Sequence, residues 1–137
     1  MERSPVAVVI VTYQSEQVIA GCLDSLPDDV RVIVVDNAST DGTVASATRP
    51  GVEVLRSPVN AGFAAGVNLG IKAAEGHDVL VLNADIRLHP GAIATLRAAD
   101  RPIVVPRLVD ESGALAHSLR RRPRAAGAFA EALIGGG

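Results

Sequence analysis

Three apolar runs end on oxygen-bearing side chains. Thr12 and Tyr13 follow "VAVVIV", Asp36 and Asn37 close "VRVIVVDN", and Asn83 and Asp85 follow "DVLVL" with only Ala84 between them. A carboxylate held at a strand end is a hard oxygen ligand of the kind Mg2+ or Mn2+ takes, and such a cation would meet the charge of a phosphorylated ligand. Asp85 suits that task. The same residue types also form turns, because Asn and Asp side chains bond their own backbone two residues on; residue type alone leaves both readings open. "TYQSE", the turn after the first run, holds no glycine, so neither a G-x-G-x-x-G dinucleotide fingerprint nor a P-loop is present. A nucleotidyltransferase would likewise want a glycine-rich basic loop there. His77, His89 and His117 show no metal-ligand spacing, and no local motif pairs one of them with a Ser or Cys nucleophile.

Alternating elements position these residues. Continuous β-branched or apolar runs at 6–12, 30–36, 52–56, 78–82 and 102–106 read as strands. Between them, residues 15–26 carry Val18, Ile19, Cys22, Leu23 and Leu26 on one helical face, and "DGTVASAT" is a short helix capped by Thr40 or Asp41. Residues 63–75 and 90–99 complete the helices, the last with Pro90 in its first turn. Gly62, Gly66 and Gly70 recur every four residues, a spacing that suits close helix packing. Unbroken apolar strands alternating with helices predict an α/β fold, a doubly wound, mostly parallel sheet covered on both sides. In such sheets a ligand lies beyond the carboxyl ends of the strands, where all three polar clusters fall. Beyond Pro106 a turn is expected at Glu111-Ser112-Gly113, followed by a basic segment at Arg120, Arg121, Arg122 and Arg124. Residues 1–119 are expected to form the α/β domain, and 120–137 a basic tail with a short helix.

Composition narrows the partners. The chain has 137 residues, a net charge of -2 and three aromatic residues, Tyr13, Phe63 and Phe129, so it offers neither a basic footprint nor a stacking platform for nucleic acid. Its apolar runs fall short of the ~20 residues a membrane span needs, and "MERSP" lacks the apolar stretch of a signal peptide. A cytoplasmic chain without a transmembrane segment is expected. The single cysteine, Cys22, reads as a small core residue.

In order, "VVIVTYQSEQVIAGCLDSL", "VIVVDNASTDGT", "NAGFAAGVNLGI" and "VLVLNADIRL" resemble the N-terminal half of the family 2 inverting glycosyltransferases, with their GT-A nucleotide-sugar fold. The resemblance runs from about Pro5 to Pro123. Asn-x-Asp in place of Asp-x-Asp, Gly-Phe-Ala after Asn60-Ala61, and "GALAHSLRRRP" look most like the rhamnosyltransferase-type subgroup. The resemblance implies that Thr12 and Tyr13 line a base pocket, that Asp36, beside Asn37, bonds the pyrimidine or its ribose, and that Asp85 ligates Mg2+ or Mn2+ on the diphosphate, with Asn83 positioning it or a bound water. It implies further that Asn60, Gly62 and Asn68 close over the nucleotide. The donor it implies is a dTDP- or UDP-sugar, with rhamnose suggested by the subgroup alone, and the acceptor a glycan or lipid-linked molecule, reached at the inner face of a membrane in cell wall or polysaccharide biosynthesis. Relatives with a basic residue at the positions of Phe63 or Val67 differ from this chain, so the diphosphate is expected to rest on the metal and backbone. Family members place the general base in a later acceptor-binding half. Asp100, Asp110, Glu111 and Glu131, the carboxylates after Asp85, lie in no matching context, so the base is expected to be absent and residues 120–137 to begin a missing acceptor region. A non-catalytic nucleotide-sugar binding module is the alternative.

Overall fold

The computed structural model describes residues 3–116, so the basic segment, the tail, His117, Phe129 and Glu131 lie outside the described residues. Two compact units form, the first running to Ala92 and the second beginning at Ile93. In the first, strands β1 (Val6–Thr12), β2 (Arg31–Asn37), β3 (Val52–Ser57) and β4 (Asp78–Asn83) alternate with helices α1 (Ile19–Asp24), α2 (Thr43–Ala47) and α3 (Phe63–Ala73). All three strand pairings are parallel, in the order β3-β2-β1-β4. This is the doubly wound α/β sheet that the apolar runs predict.

Strand order explains which strands are buried throughout. Every residue of β1 is buried, and so is every residue of β2 after Arg31, because these central strands are covered on both faces. The edge strands β3 and β4 are only partly buried. Side chains alternate between faces. Ala7, Val9, Ile33 and Val35 form one core cluster with Ala74 at the end of α3, while Val8, Ile10 and Val34 are fully buried on the other face. The chain runs from β1 outward to β3 and then back past β1 to β4, with α3 packed on the Val9 and Val11 face of β1; the right-handed rule for parallel crossovers puts α1 and α2 on the other face. The reversal falls between β1 and β4, which makes that gap the switch point of the sheet.

Helix α3 lies close on β1. A Cβ built on Gly66 would stand 2.7 Å from Val11 Cγ1, and one on Gly70 would overlap Val9 Cγ1 more severely. Gly66 and Gly70 are therefore packing glycines, as their spacing suggests, whereas Gly62 meets nothing within 4 Å and is set apart by its φ of 92°.

Helix ends differ from the sequence expectation for local reasons. Helix α1 begins at Ile19, because residues 15–18 make turns on the Ser15 carbonyl and the Ser15 N–H is held by Thr43 Oγ1. Helix α4 (Ala92–Ala98) begins after Pro90, since Gly91 at φ 79° cannot be helical. The expected strand at 102–106 is not formed. Pro102 and Pro106 bracket it without N–H donors, and Ile103 and Val105 are 84% and 71% exposed. The expected turn at 111–113 is present, closed by the Val109–Leu115 bridge with Gly113 at φ 82°. Among the described residues no helix is long and apolar enough to cross a membrane.

Two outcomes follow. Gly70→Ala should gain about 1 kcal/mol of helix propensity and lose about 1–3 kcal/mol to overpacking against Val9, for a net loss visible as a lower urea midpoint. Cys22, 1% exposed in α1, has its thiol pushed up to about 11 by burial and, secondarily, by the charge of Asp85. Above pH 9 the unfolded thiol ionises before the folded one does, so stability should fall as pH rises beyond 9 in wild type and fall less in Cys22→Ala, measured by urea titration across pH.

Candidate functional site

The parallel register brings the polar strand ends to one level. Thr12 pairs with Asp36 across β1 and β2, Asp36 with Arg56 across β2 and β3, and Val11 with Asn83 across β1 and β4. Tyr13, one residue beyond β1, is 54% exposed, while Thr12, Asp36 and Asn37 are buried.

Asp36 is held from three directions. Its Oδ1 accepts hydrogen bonds from Thr12 Oγ1 at 2.9 Å and Ser39 Oγ at 2.6 Å, and its Oδ2 accepts the Ser39 N–H at 3.0 Å. The carboxylate therefore ties the ends of β1 and β2 to the loop after β2. Thr12, expected to line a pocket, turns its hydroxyl into this node.

Asn37 points to the other side of β2. Its Nδ2 donates to the Gly62 carbonyl at 3.0 Å, while its Oδ1 is buried without a partner, alone in that respect among the described side chains. The amide orientation follows from chemistry, since an oxygen facing the Gly62 carbonyl would repel it. Gly62, at φ 92°, precedes α3, and its N–H is taken by Asn60 Oδ1 at 3.0 Å. Asn60 and Gly62 thus join Asn37 in one cluster beside the uncapped first turn of α3. Asn68 lies exposed on α3 and hydrogen-bonds none of these residues.

Asn83 and Asp85 behave differently from the other polar pairs. The turn after β4 is closed by backbone alone, Ile86 N–H to the Asn83 carbonyl at 3.1 Å. Both residues are exposed, and neither side chain hydrogen-bonds a described residue. Contrast Asp41, whose Oδ1 accepts the Thr43 N–H and hydroxyl, and Asp110, whose Oδ1 accepts the Ser112 N–H, the Ser112 hydroxyl and the Ala114 N–H. Those bonds, led by the Thr43 and Ser112 hydroxyls, hold both carboxyls below the usual carboxylate range. Asp41 and Asp110 are turn formers. Among the described residues, Asp85 accepts no such bond. Among the described residues no three His, Cys, Asp or Glu side chains converge into a metal cage. A cation at Asp85 would therefore draw its other ligands from water and phosphate, which suits a hard divalent ion that keeps several oxygens not supplied by protein.

Sequence reasoning passed over Gln14, Ser39 and Thr43. Ser39 carried a usable signal, a hydroxyl three residues after a strand-end Asp, the spacing of a side-chain-closed turn.

A family model described as "Glycosyl transferase family 2" matches residues 7–122. An uncharacterised glycosyltransferase of Mycobacterium tuberculosis is 34% identical over 123 residues, covering 90% of this chain and 51% of the relative. An N-acetylglucosaminyl-diphospho-decaprenol L-rhamnosyltransferase of the same organism is 33% identical over 138 residues, covering 85% of this chain and 45% of the relative. The chain thus spans about half the length of these curated relatives. Among solved structures, a mannosyltransferase from Pyrobaculum calidifontis in complex with GDP-Man and Mn2+ superposes with a TM-score of 0.59 at 28% identity, over 69% of this chain and 31% of that one. Glucosyl-3-phosphoglycerate synthase from M. tuberculosis, in complex with Mn2+, UDP and glucosyl-3-phosphoglycerate, gives a TM-score of 0.60 at 27% identity, over 69% and 39%. The sheet is of the GT-A nucleotide-sugar transferase type that the sequence motifs imply.

The Asp36 node should govern stability. Asp36→Ala strands three donors, the buried Thr12 hydroxyl and the half-buried Ser39 N–H and hydroxyl, and should cost at least about 1–3 kcal/mol, read from urea unfolding. Ala38, in the same loop at φ 59°, should respond oppositely, Ala38→Gly gaining up to about 1 kcal/mol as a left-handed strain is relieved.

Proposed function

Because the chain belongs to glycosyl transferase family 2, we propose that its first unit binds the nucleoside-diphosphate-sugar donor of an inverting, metal-assisted sugar transfer. The observation that carries this is the row of polar groups at the carboxyl ends of three adjacent strands about the β1/β4 switch point: an exposed Tyr13 after β1, a buried, unpartnered Asn37 oxygen at the end of β2, and after β4 an Asp85 carboxylate that bonds no described residue.

Each residue has a role its chemistry supports. The Tyr13 ring offers a face on which a base can stack. Asn37 Oδ1 is an acceptor awaiting a donor, and a pyrimidine N3–H supplies one; Asp36 acts beneath it by fixing the loop, together with Thr12. Asn60 and Gly62 hold the segment before α3 against Asn37, and the uncapped N–H groups of that helix face the side where phosphate charge must be met. Asn68 closes over the nucleotide from α3. Asp85 holds Mg2+ or Mn2+, with Asn83 orienting it or a bound water. When bound, the cation stabilises charge developing on the departing diphosphate. Solved relatives containing Mn2+ with UDP or GDP-Man support metal and nucleotide-sugar use.

The rhamnosyltransferase among the curated relatives supports rhamnose as the sugar and a glycan or lipid-linked acceptor; a dTDP- or UDP-sugar donor and work at the cytoplasmic face of a membrane in cell wall or polysaccharide assembly are the reading that the sequence motifs favour. No carboxylate among the described residues is assigned as the general base. Asp110 is a poor one, since its turn holds its carboxyl below the usual range.

Calorimetric titration with UDP, dTDP and GDP, with and without Mn2+, tests this reading. A pyrimidine diphosphate should bind about ten-fold more tightly with Mn2+, and Asp85→Ala should abolish that gain while sparing metal-free affinity. An equal Mn2+ effect in both proteins would remove Asp85 from the metal site, and no nucleotide binding at all would end the donor-site reading.

A further inference from the structure

Gln14 is the side chain through which the two loops beyond β1 and β2 grip each other. It sits at φ 49°, a left-handed conformation that a side chain other than Gly, Asn or Asp rarely adopts, and Ala38 sits at φ 59° in the facing loop. Such conformations cost roughly 1 kcal/mol or more and persist only where surrounding contacts over-determine them. Here the contacts are explicit. Gln14 Oε1 accepts the N–H groups of Thr40 at 2.7 Å and Asp41 at 3.3 Å, Gln14 Nε2 donates to Thr40 Oγ1 at 3.0 Å, and the Gln14 N–H donates to Ser39 Oγ at 3.0 Å. Ser39 Oγ in turn donates to Asp36, so an unbroken chain of hydrogen bonds runs from the backbone beside Tyr13 to the buried carboxylate beside Asn37. The amide orientation is forced, because two backbone N–H groups converge on the same atom and only the oxygen accepts them. One residue further on, the Ser15 N–H reaches Thr43 Oγ1 at 2.8 Å and the Glu16 N–H reaches Asp41 Oδ2 at 3.3 Å, which continue the same seam.

We propose that Gln14 is a positioning residue of the donor site, a clasp that sets the gap between the Tyr13 ring and the Asn37 carboxamide and so tunes recognition of the base. The chain bends at Tyr13 and the left-handed Gln14. That bend leaves the ring exposed at the strand end and sends the next side chain across to the neighbouring loop. Among the described residues, Gln14 hydrogen-bonds none of the groups assigned to the diphosphate or the metal. Its contribution is confined to the nucleoside end, and this separates a clasp from a general structural role. The inference rests on the donor-site reading above.

The test uses the full chain and two probes, the nucleoside monophosphate (UMP or TMP, according to which diphosphate the wild type prefers) and Mn2+ with pyrophosphate. Gln14→Gly relaxes the strained backbone and removes the clasp. It should lower monophosphate affinity about ten-fold while leaving Mn2+-pyrophosphate affinity within about two-fold of wild type. Gln14→Asn tolerates the same backbone conformation but is one methylene too short to reach Thr40, and it should show the same split should the glycine variant fail to fold. Unchanged monophosphate affinity in folded variants would overturn the clasp while leaving the donor site standing. Equal losses with both probes would also overturn it, by showing that the loop merely supports the whole site. A wild type that binds neither UDP nor dTDP would remove the donor-site reading itself, and the clasp with it.

Discussion

The contact on which the site depends is the seat of α3 on β1 through Gly66 and Gly70. Backbone and side chain approach so closely there that a methyl group on either glycine would overlap Val11 or Val9. This approach sets the height of the whole α3 face above the sheet. It also places the residue before the helix, Gly62, where its carbonyl receives the Asn37 amide. A helix held further off by larger residues would leave that carbonyl out of reach, and Asn37 would then carry two unpaired groups in a buried position, at a cost of several kcal/mol. A packing choice in the middle of the helix thus decides the orientation of a side chain at the strand end.

The second constraint lies on the other side of the same strand end. Asp36 and Asn37 are adjacent, so β alternation sends them to opposite faces. One joins Thr12, Ser39 and, through Ser39, the Gln14 loop; the other joins the Gly62 segment. The dipeptide therefore works as a pivot between the two halves of the crevice. Asp36 has both carboxylate oxygens engaged by Thr12 and Ser39, whereas the equally buried Asn37 oxygen has no partner among the described residues.

Strands and order of elements were legible because their signal is redundant: seven successive buried residues in β1 leave no other reading in an alternating α/β pattern. The same signal misled at 102–106, where three apolar residues suffice for a pattern but the flanking prolines remove the donors a ladder needs. The positions of Thr12, Tyr13, Asp36, Asn37, Asn83 and Asp85 at strand ends were legible for the same reason, being marked by where apolar runs stop. Which of these side chains faces inward was not. Whether Asp36 or Asn37 is the engaged partner depends on register with β1 and on Ser39, and neither is written in a local period. Gln14 was illegible for a stronger reason. Its conformation is set by groups 25 to 27 residues away, and nothing in its own neighbourhood predicts a left-handed glutamine.

Comparing the carboxylates resolves the ambiguity left by residue type. A strand-end or loop Asp is a turn former when its oxygens accept its own following N–H groups; Asp41 and Asp110 do so two residues on, and Asp36 does so at Ser39. Each such bond closes a turn that would otherwise need water or a glycine. The turn after β4 is closed without side-chain help, by the Ile86 N–H on the Asn83 carbonyl. Asp85 is thus unnecessary to the loop that carries it. A carboxylate that accepts no hydrogen bond from any described residue, set beside the reversal of strand order in the sheet, is positioned to meet a group from outside these elements. Its exposure gives that partner access from solvent, and its charge selects for a cation.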